Sequence, residues 1–343
     1  MIAETSKYEL RRRGIVLTPD YDKRHEAGGV LNPAVASYNG KSYLLYRSVD
    51  TVPHNYSRIM VAELRPDGPD GNMIAHRLDI CALEPQEPYE KWGVGNGGGV
   101  EDPRVTPMAD GSFVMAYAAY GAGPGGEATP RIALARSHDL LHWERLGLVA
   151  YTPLELSGRN GRHTIDMQTV SNKDAAVFPQ KIGGRYVLMH RPTFSSEVAQ
   201  DTGISPSIWF SYSTDLITWT DHHLIMSKEQ AWESMKVGGG TPPVRTPQGW
   251  LIVYHGVEGE SDLDPNRVYR AGVVLLAADE PQRILYRSVE PVLSPDTNME
   301  QVGVVNNVVF PTGVLTTTGG HLQVFYGMAD AAIGMAETVL AVL

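Results

Sequence analysis

The chain has 343 residues, 42% of them hydrophobic, and a formal net charge of −10 at pH 7. A chain of this length can bury a large core, whereas the negative charge argues against a nucleic-acid-binding surface, since residues 11–13 form the one run of arginines. No apolar stretch is long enough to span a membrane, and the single cysteine, Cys81, cannot form an internal disulfide. With no apolar leader segment, we expect a cytoplasmic protein that binds neither nucleic acid nor membrane.

An internal repeat dominates the sequence. In each copy, a short apolar run is followed by a turn and then by a longer apolar run, and five such copies follow one another at intervals of about 70 residues. Asn-Gly or Asp-Gly between apolar runs predicts a β-hairpin, because the turn requires positive φ angles. The predicted turns are Asn39-Gly40, Asp110-Gly111, Gly183-Gly184, Gln248-Gly249 and Gly319-Gly320.

A second pair of strand-like runs follows each hairpin, and two of these runs lead into matching turns at residues 137–143 and 213–219. We expect Ser and Asp side chains to close these turns by hydrogen bonds, while Leu and Trp fill the gap between sheets. Four strands in each of five units predict an all-β chain, a five-bladed β-propeller. The prediction is one domain over residues 1–343, with extensions at the N-terminus and in the loops around a central funnel. A solenoid is less suitable, because its units are shorter, roughly 20–50 residues.

Polar residues stand at the same end of every predicted hairpin. The first strand starts where its antiparallel partner ends, so in a closed ring these ends surround one mouth of the central channel. Taken singly, an Asp before Pro is usually a turn residue, and a His after an aliphatic run is usually structural. Because all of these residues stand at the same end of their repeat unit, we predict that they line a common funnel. They are Asn32, Arg47, Asp102, Tyr120, Lys173, Asp174, His190, Arg191, Thr241, His255 and Asp330.

The predicted funnel combines one central carboxylate, Asp102, with several cations. One-step inverting cleavage of a glycosidic bond needs an acid for the leaving oxygen and a nucleophile on the opposite face. A hydrolase activates water with a second carboxylate, whereas a phosphorylase needs cations to hold phosphate. The cations favour phosphorolysis. No zinc-type spacing of His and Cys and no phosphate-binding glycine loop is present, so we expect no metal and no cofactor apart from inorganic phosphate as co-substrate.

The chain resembles glycoside hydrolase family 130, the mannoside phosphorylases and related β-mannosidases, a family of five-bladed propellers. The resemblance covers nearly the whole chain. Its motifs are NP at 32–33, YRS at 46–48, GVEDPR at 99–104, KDAAVFP at 173–179, HRP at 190–192, GGGTPP at 238–243, WLIVYHG at 250–256 and YGMAD at 326–330.

The resemblance implies that Asp102 is the general acid, which reaches the leaving oxygen through a hydroxyl group of the bound mannose. It implies that the mannosyl unit and the rest of the substrate are bound by Asn32, Arg47, Arg58, Tyr120, Asp174 and Asp330. Phosphate ligands are expected at Lys173, His255, Arg131 and Arg191. Family hydrolases are expected to carry glutamates in place of these cations.

The expected reaction is the reversible, inverting phosphorolysis of a β-mannoside to α-mannose 1-phosphate. The alternatives are an inverting β-mannosidase, with Glu233 or Glu258 as the base, and a non-catalytic mannoside-binding propeller. Residues 154–172 and 55–58 depart from the family pattern, so the sequence assigns neither the linkage nor the acceptor sugar. It also leaves the oligomeric state open, with a homo-oligomer among the options.

Overall fold

The computed structural model describes residues 8–51, 56–67, 72–93 and 97–340, and strands dominate these residues. The strands group into five successive antiparallel units. Unit 1 contains β2 (Gly29–Tyr38), β3 (Lys41–Asp50), β4 (Tyr56–Asp67) and β5 (Asn72–Leu83), and unit 2 contains β6 (Gly98–Pro107), β7 (Phe113–Ala122), β8 (Ala128–Ser137) and β9 (Glu144–Leu148).

The remaining units follow the same order. Unit 3 contains β13 (Ser171–Val177), β14 (Tyr186–Thr193), β15 (Ile208–Ser213) and β16 (Thr218–Met226). Unit 4 contains β17 (Lys236–Gly238), β18 (Val244–Thr246), β19 (Gly249–Glu258), β20 (Val268–Leu276) and β21 (Ile284–Arg287). Unit 5 contains β22 (Val309–Thr316), β23 (His321–Met328), β24 (Ala332–Val339) and β1 (Arg11–Leu17).

Short elements connect the units. Between units 2 and 3 lie β10 (Ala150–Tyr151), which joins the edge of unit 3, and the hairpin of β11 (Leu154–Ser157) and β12 (Arg162–Ile165). In the part of the chain that the structure describes, the helices are α1 (Ser196–Thr202), α2 (Asn298–Gln301) and three 3-10 turns at Arg24–Glu26, Pro88–Glu90 and Ala231–Glu233. Within the described ranges, none of these helices is long and apolar enough to cross a membrane.

Apolar clusters between neighbouring units join them into a ring. The rings of Phe178 in unit 3 and Trp250 in unit 4, for example, pack edge to face with centroids 5.3 Å apart. Strand β1 pairs with β24, so the first strand of the chain completes the last unit. Unit 1 and unit 2 also touch through a short parallel pairing in which Gly99 lies opposite Ser57. The all-β propeller prediction is confirmed.

The predicted turns form as their residues dictate. Asn39 and Gly40 both have positive φ angles, 48° and 74°, which suits a two-residue hairpin turn. In the turn at residues 137–143, the Ser137 hydroxyl accepts a hydrogen bond from the Leu140 N–H at 2.9 Å. The turn at residues 213–219 repeats this bond between Ser213 and Leu216 at 3.0 Å. Local side-chain chemistry therefore fixes both turns, as predicted.

Four of the five units contain the same buried ion pair with a tyrosine. A glutamate ahead of the first strand accepts hydrogen bonds from a tyrosine of the second strand and an arginine of the outermost strand, and each glutamate is fully buried. Full burial of a carboxylate requires such partners. The sets are Glu26, Tyr46 and Arg77; Glu90, Tyr117 and Arg145; Glu233, Tyr254 and Arg287; and Glu300, Tyr326 and Arg12.

Candidate active site

The first strands of units 1, 2 and 3 share one irregularity, a bulge at the funnel end. The register shifts between Leu31 and Ala34 in unit 1, and corresponding shifts occur in β6 and β13. One residue at each bulge has a left-handed backbone: Asn32 with φ 46°, Asp102 with φ 48° and Asp174 with φ 59°. Asn and Asp tolerate this conformation better than other side chains. The repeat thus brings three Asx side chains to the same cavity.

A cavity of about 330 Å³ lies where these bulges meet, and residues of all five units line it. Its volume is at the lower end of the range for small-molecule sites, which begins at about 300 Å³. The lining consists mainly of charged and polar side chains: Asn32, Arg47, Glu101, Asp102, Ser171, Lys173, Asp174, Arg191, Thr193, Lys236, His255, Asp262, Arg267, Tyr269 and Asp330, with Pro130, Val305, Val308 and Phe310.

Two donors hold the Asp102 carboxylate at the cavity lining. Its Oδ1 accepts a hydrogen bond from Asn32 Nδ2 at 2.8 Å and another from Arg47 Nη1 at 3.2 Å. Arg47 Nη2 also donates to Glu101 Oε1 at 2.6 Å. Burial raises the pKa of Asp102, but the positive charges of Arg47 and Arg104 and the Asn32 hydrogen bond outweigh burial and lower it. Asp102 is therefore ionised before ligands bind.

Asp330 shows the opposite behaviour, although it lines the same cavity. Burial, together with the nearby carboxylates of Asp102 and Glu101, raises the pKa of Asp330 to about 6, against the opposing charge of Arg47. Three carboxyl groups thus face one guanidinium group. One of them, Asp330, takes up a proton close to neutral pH.

A cationic group lies around Asp174. Arg191 Nε donates a hydrogen bond to Asp174 Oδ2, and His255 Nε2 lies 3.6 Å from the same oxygen. Burial lowers the pKa of His255 to about 3, despite the opposite charge of Asp174. His255 is therefore neutral at pH 7 and offers one ring N–H as a donor. Lys173 lines the same cavity, and its charge also lowers the pKa of Asp174.

Several buried polar atoms of the lining have no hydrogen-bond partner among the described residues. They are Asn32 Oδ1, Asp174 Oδ1, both ring nitrogens of His255 and Arg267 Nε. Buried polar atoms in proteins are nearly always hydrogen-bonded, so this arrangement is suited to a highly polar ligand. Gly238 leaves room for it, because a Cβ atom there would lie 2.4 Å from His255 Cε1 and 2.5 Å from Asp174 Oδ2.

Eight of the predicted site residues lie on this lining: Asn32, Arg47, Asp102, Lys173, Asp174, Arg191, His255 and Asp330. Three others do not line it. Arg58 lies in a shallower pocket, where its guanidinium group contacts Asp50 at 3.3 Å. Arg131 donates to the Ala122 carbonyl at 2.6 Å. Tyr120 is not among the lining residues, and burial and the Glu101 charge raise its pKa.

His190, the other histidine of the predicted funnel, is a structural residue. Its Nε2 lies 2.7 Å from the Ser211 hydroxyl, and its Nδ1 lies within hydrogen-bonding distance of the Asn172 side chain. The two glutamates proposed as hydrolytic bases also lie off the cavity lining. Glu233 belongs to a buried ion pair with Tyr254 and Arg287, and Glu258 pairs with Arg270 at 2.6 Å.

The sequence reasoning missed several residues of the lining, namely Glu101, Lys236, Asp262, Arg267 and Tyr269. Glu101 lies beside Asp102 in the motif at residues 99–104, and this position could have identified it as a residue of the site. Lys236 precedes the glycines of the 238–243 motif. Asp262 and Arg267 lie in the loop between β19 and β20, where the hairpin repeat does not predict the positions of side chains. Among the described residues, no group of His, Cys, Asp and Glu is arranged to hold a metal ion.

Known proteins of similar sequence match nearly the whole chain. The family model for glycoside hydrolase family 130, described as β-1,4-mannooligosaccharide phosphorylase, matches residues 21–343. The chain is 34% identical over 322 residues to 1,2-β-oligomannan phosphorylase of Thermoanaerobacter sp. (strain X514), covering 94% of this chain and 93% of the relative. It is 32% identical over 326 residues to the β-1,4-mannooligosaccharide phosphorylase of Ruminococcus albus, covering 93% and 85%.

A solved structure gives the same fold. The β-1,2-mannobiose phosphorylase of Listeria innocua, in complex with β-1,2-mannobiose, superposes with a TM-score of 0.75 at 24% identity. The superposition covers 98% of this chain and 97% of that one. Since the family model spans nearly all of the sequence and the relatives align over most of their length, the chain belongs to glycoside hydrolase family 130.

Proposed function

We propose that this chain catalyses the reversible, inverting phosphorolysis of β-mannosides, in which a β-mannosyl oligosaccharide and phosphate give α-mannose 1-phosphate and a shortened oligosaccharide. The observation that supports the proposal is one cavity lined both by the Asp102 carboxylate and by the group of Lys173, Arg191 and His255. The similar proteins named as mannoside phosphorylases support the same reaction.

The carboxylate and the cations of this lining suit the two halves of the reaction. A phosphate oxygen attacks the anomeric carbon while the bond from that carbon to the leaving oxygen breaks. Asp102 supplies the proton that the leaving oxygen acquires, passed on through a mannose hydroxyl group. The cations of the lining would hold the phosphate and neutralise its charge. Attack from the face opposite the leaving group inverts the anomeric centre.

The charge on Asp102 gives the two directions different pH demands. Phosphorolysis needs Asp102 protonated, whereas synthesis from mannose 1-phosphate needs it as a carboxylate that accepts the proton from the acceptor. Arg47, Arg104 and Asn32 favour the carboxylate before ligands bind. Synthesis should therefore retain activity at higher pH than phosphorolysis does.

The test measures release of α-mannose 1-phosphate and of free mannose from β-1,2- and β-1,4-linked mannobiose, with and without phosphate. Asp102→Asn should lower turnover roughly 10²- to 10⁴-fold. The matched control is Asp110→Asn, because Asp110 only closes a hairpin turn through Ser112. Lys173→Met should raise the KM for phosphate with little change in the KM for mannobiose. Free mannose released at the same rate without phosphate would instead establish a hydrolase.

A further inference from the structure

Arg104 is a buried arginine next to the bulge of β6 that contains Asp102. Its side chain is only 1% exposed, and it is not among the residues that line the cavity. In units 1 and 3, the strand register resumes after the bulge at Ala34 and Ala176, which are fully buried. The fold of a unit therefore needs only a small apolar side chain at this position. A buried guanidinium group is costly, so its presence in unit 2 requires another explanation.

The guanidinium group of Arg104 joins three units. Its Nη1 donates a hydrogen bond to the Asp102 carbonyl oxygen at 2.9 Å, within unit 2. Its Nε donates to the Gly240 carbonyl oxygen at 3.2 Å and its Nη2 to that of Gly239 at 3.3 Å, just after β17 of unit 4. In unit 3, Asp174 Oδ1 lies 3.6 Å from Nη2. The planar fork of an arginine side chain suits such a set of contacts, whereas a single ammonium group does not.

The glycines of the 238–243 motif allow this close approach. A Cβ atom at Gly239 would lie 2.6 Å from the Asp174 carbonyl oxygen, and one at Gly240 would lie 2.1 Å from the Val253 carbonyl oxygen. A side chain at either position would therefore force this segment away from its neighbours. The two carbonyl oxygens would then no longer reach Arg104.

Arg104 also acts on two carboxyl groups of the site through its charge. Burial raises the pKa of Asp102, but the charges of Arg47 and Arg104 lower it. For Asp174, burial likewise raises the pKa, and neighbouring positive charges, among them Arg191 and Arg104, lower it. Arg104 therefore favours the ionised form of both acids.

We propose that Arg104 is a positioning residue that holds the bulge presenting Asp102 and supplies a positive charge shared by Asp102 and Asp174. The inference rests on the proposed phosphorolysis and adds to it a residue that does not line the cavity. The hydrogen bond from Nη1 fixes the backbone at Asp102, where φ is 48° and the left-handed conformation needs support from its surroundings. A small displacement of a proton donor lowers the rate strongly.

A purely structural role for Arg104 predicts a loss of stability and nothing more, whereas the proposed role also predicts a change in the pH dependence of the reaction. The charged groups around Asp102 are Arg47, Arg104, Lys173, Glu101 and Asp330. An Arg104 variant changes one of these groups and leaves the other four in place. A shift in the pH profile therefore reports the charge of Arg104.

Three variants test the proposal: Arg104→Met, Arg104→Gln and Arg104→Lys. The matched control is Arg145→Met in the same unit, because Arg145 pairs with the buried Glu90 at 2.9 Å and does not line the cavity. For each protein, kcat and the KM values for phosphorolysis and for synthesis are measured from about pH 4 to about pH 9. A thermal melt of each protein reports its stability.

Arg104→Met and Arg104→Gln should lower kcat about tenfold or more, while the KM values stay within about threefold, because no contact with a substrate is lost. Without the charge of Arg104, Asp102 takes up a proton at higher pH. The alkaline limb of phosphorolysis and the acid limb of synthesis should therefore both shift upward, by about one pH unit. Arg104→Lys should keep the pH profile of the parent but not its kcat, since it retains the charge and loses the fork of donors.

Arg145→Met should lower the melting temperature and leave both pH profiles unchanged.

Parent-like pH profiles in Arg104→Met and Arg104→Gln would overturn the proposal, and the Arg104→Gln result decides the matter where Arg104→Met fails to fold. Failure of all three variants to fold would also overturn it, since Arg104 would then serve the fold itself. A parent enzyme without phosphate-dependent turnover would overturn the proposed function. A phosphate-dependent parent whose Arg104 variants behave like Arg145→Met would overturn this inference alone.

Discussion

Asp330 lowers the stability of the folded protein at neutral pH, and Asp330→Asn should reveal this cost. The carboxyl group lines the cavity beside Arg47, and burial raises its pKa to about 6. Asparagine has nearly the same shape and resembles the protonated acid. It also tolerates the left-handed backbone of this position, where φ is 52°. The substitution therefore removes the charge without a change in packing.

The size of the effect follows from the pKa. A carboxyl group with a pKa of about 6 in the folded chain and 3.8 unfolded is costly to ionise in the fold, by at most about 3 kcal/mol at neutral pH. Because the folded pKa is the higher one, this group favours folding below pH 3.8, and that contribution is lost as the pH rises through 6. Asp330→Asn should thus stabilise the protein by about 3 kcal/mol at pH 7.5 and by about 1 kcal/mol at pH 4.5.

Urea unfolding of parent and variant at pH 7.5 and pH 4.5 measures this difference, while turnover of mannobiose should fall. Asp139→Asn is the control with the opposite sign. Burial alone would raise the pKa of Asp139, but hydrogen bonds from His142 and Leu141 lower it to about 2. Its substitution should therefore destabilise the protein similarly at both pH values. A stability change at Asp330 that is equal at the two pH values would refute the reasoning.

Three further predictions concern other parts of the molecule. Glu233→Gln should lower the free energy of unfolding by about 3 kcal/mol, because Arg287 loses its buried partner, and urea unfolding measures this loss; an unchanged stability with altered catalysis would argue for a catalytic Glu233. Gly99→Ala should cost at least about 2 kcal/mol, since the new Cβ would lie 2.3 Å from the Ser57 carbonyl oxygen; a thermal melt equal to that of the parent would contradict this. Lys236 faces Lys173, Arg191, Asp262, Tyr269 and His255, and it loses its charge above about pH 8. The KM for phosphate should therefore increase when the pH exceeds this value. A Lys236→Met variant with the same pH profile would contradict the prediction.

Residues whose conformation is determined locally were predictable from the sequence. The hairpin turns and the Asx residues at the bulges depend on the φ preferences of a few neighbouring residues. The Ser137 and Ser213 turns likewise close through contacts two or three residues along the chain. The repeat also predicted which of these features lie at the same end of the molecule, because each copy places them at the same end of its unit.

The difference between His190 and His255 was harder to predict, since both follow an aliphatic run. Side chains alternate between the two faces of a strand, so neighbouring positions point in opposite directions. His190 corresponds in the repeat to Tyr46 and Tyr254, which point away from the cavity, whereas His255 corresponds to Arg47 and Arg191, which line it. The alternation was present in the sequence and would have separated the two histidines.

Arg58, Arg131 and Asp262 could not be assigned in this way. Arg58 and Arg131 belong to third strands of their units, which lie farther from the central cavity than the first two. Asp262 lies in a loop, where no strand period relates sequence position to direction. Its position near Lys236 depends on the path of the whole loop from β19 to β20.

The pairing of β1 with β24 has a consequence for biosynthesis. The strand at residues 11–17 leaves the ribosome before the rest of the ring, and its partner at residues 332–339 follows more than 300 residues later. Until then, β1 is an unpaired edge, and Glu300 has yet to meet Arg12. Every earlier unit can complete its own sheet during translation, but the ring itself closes only after residues 332–339 have been made. Premature termination should therefore leave a chain with an exposed edge strand that is prone to aggregation.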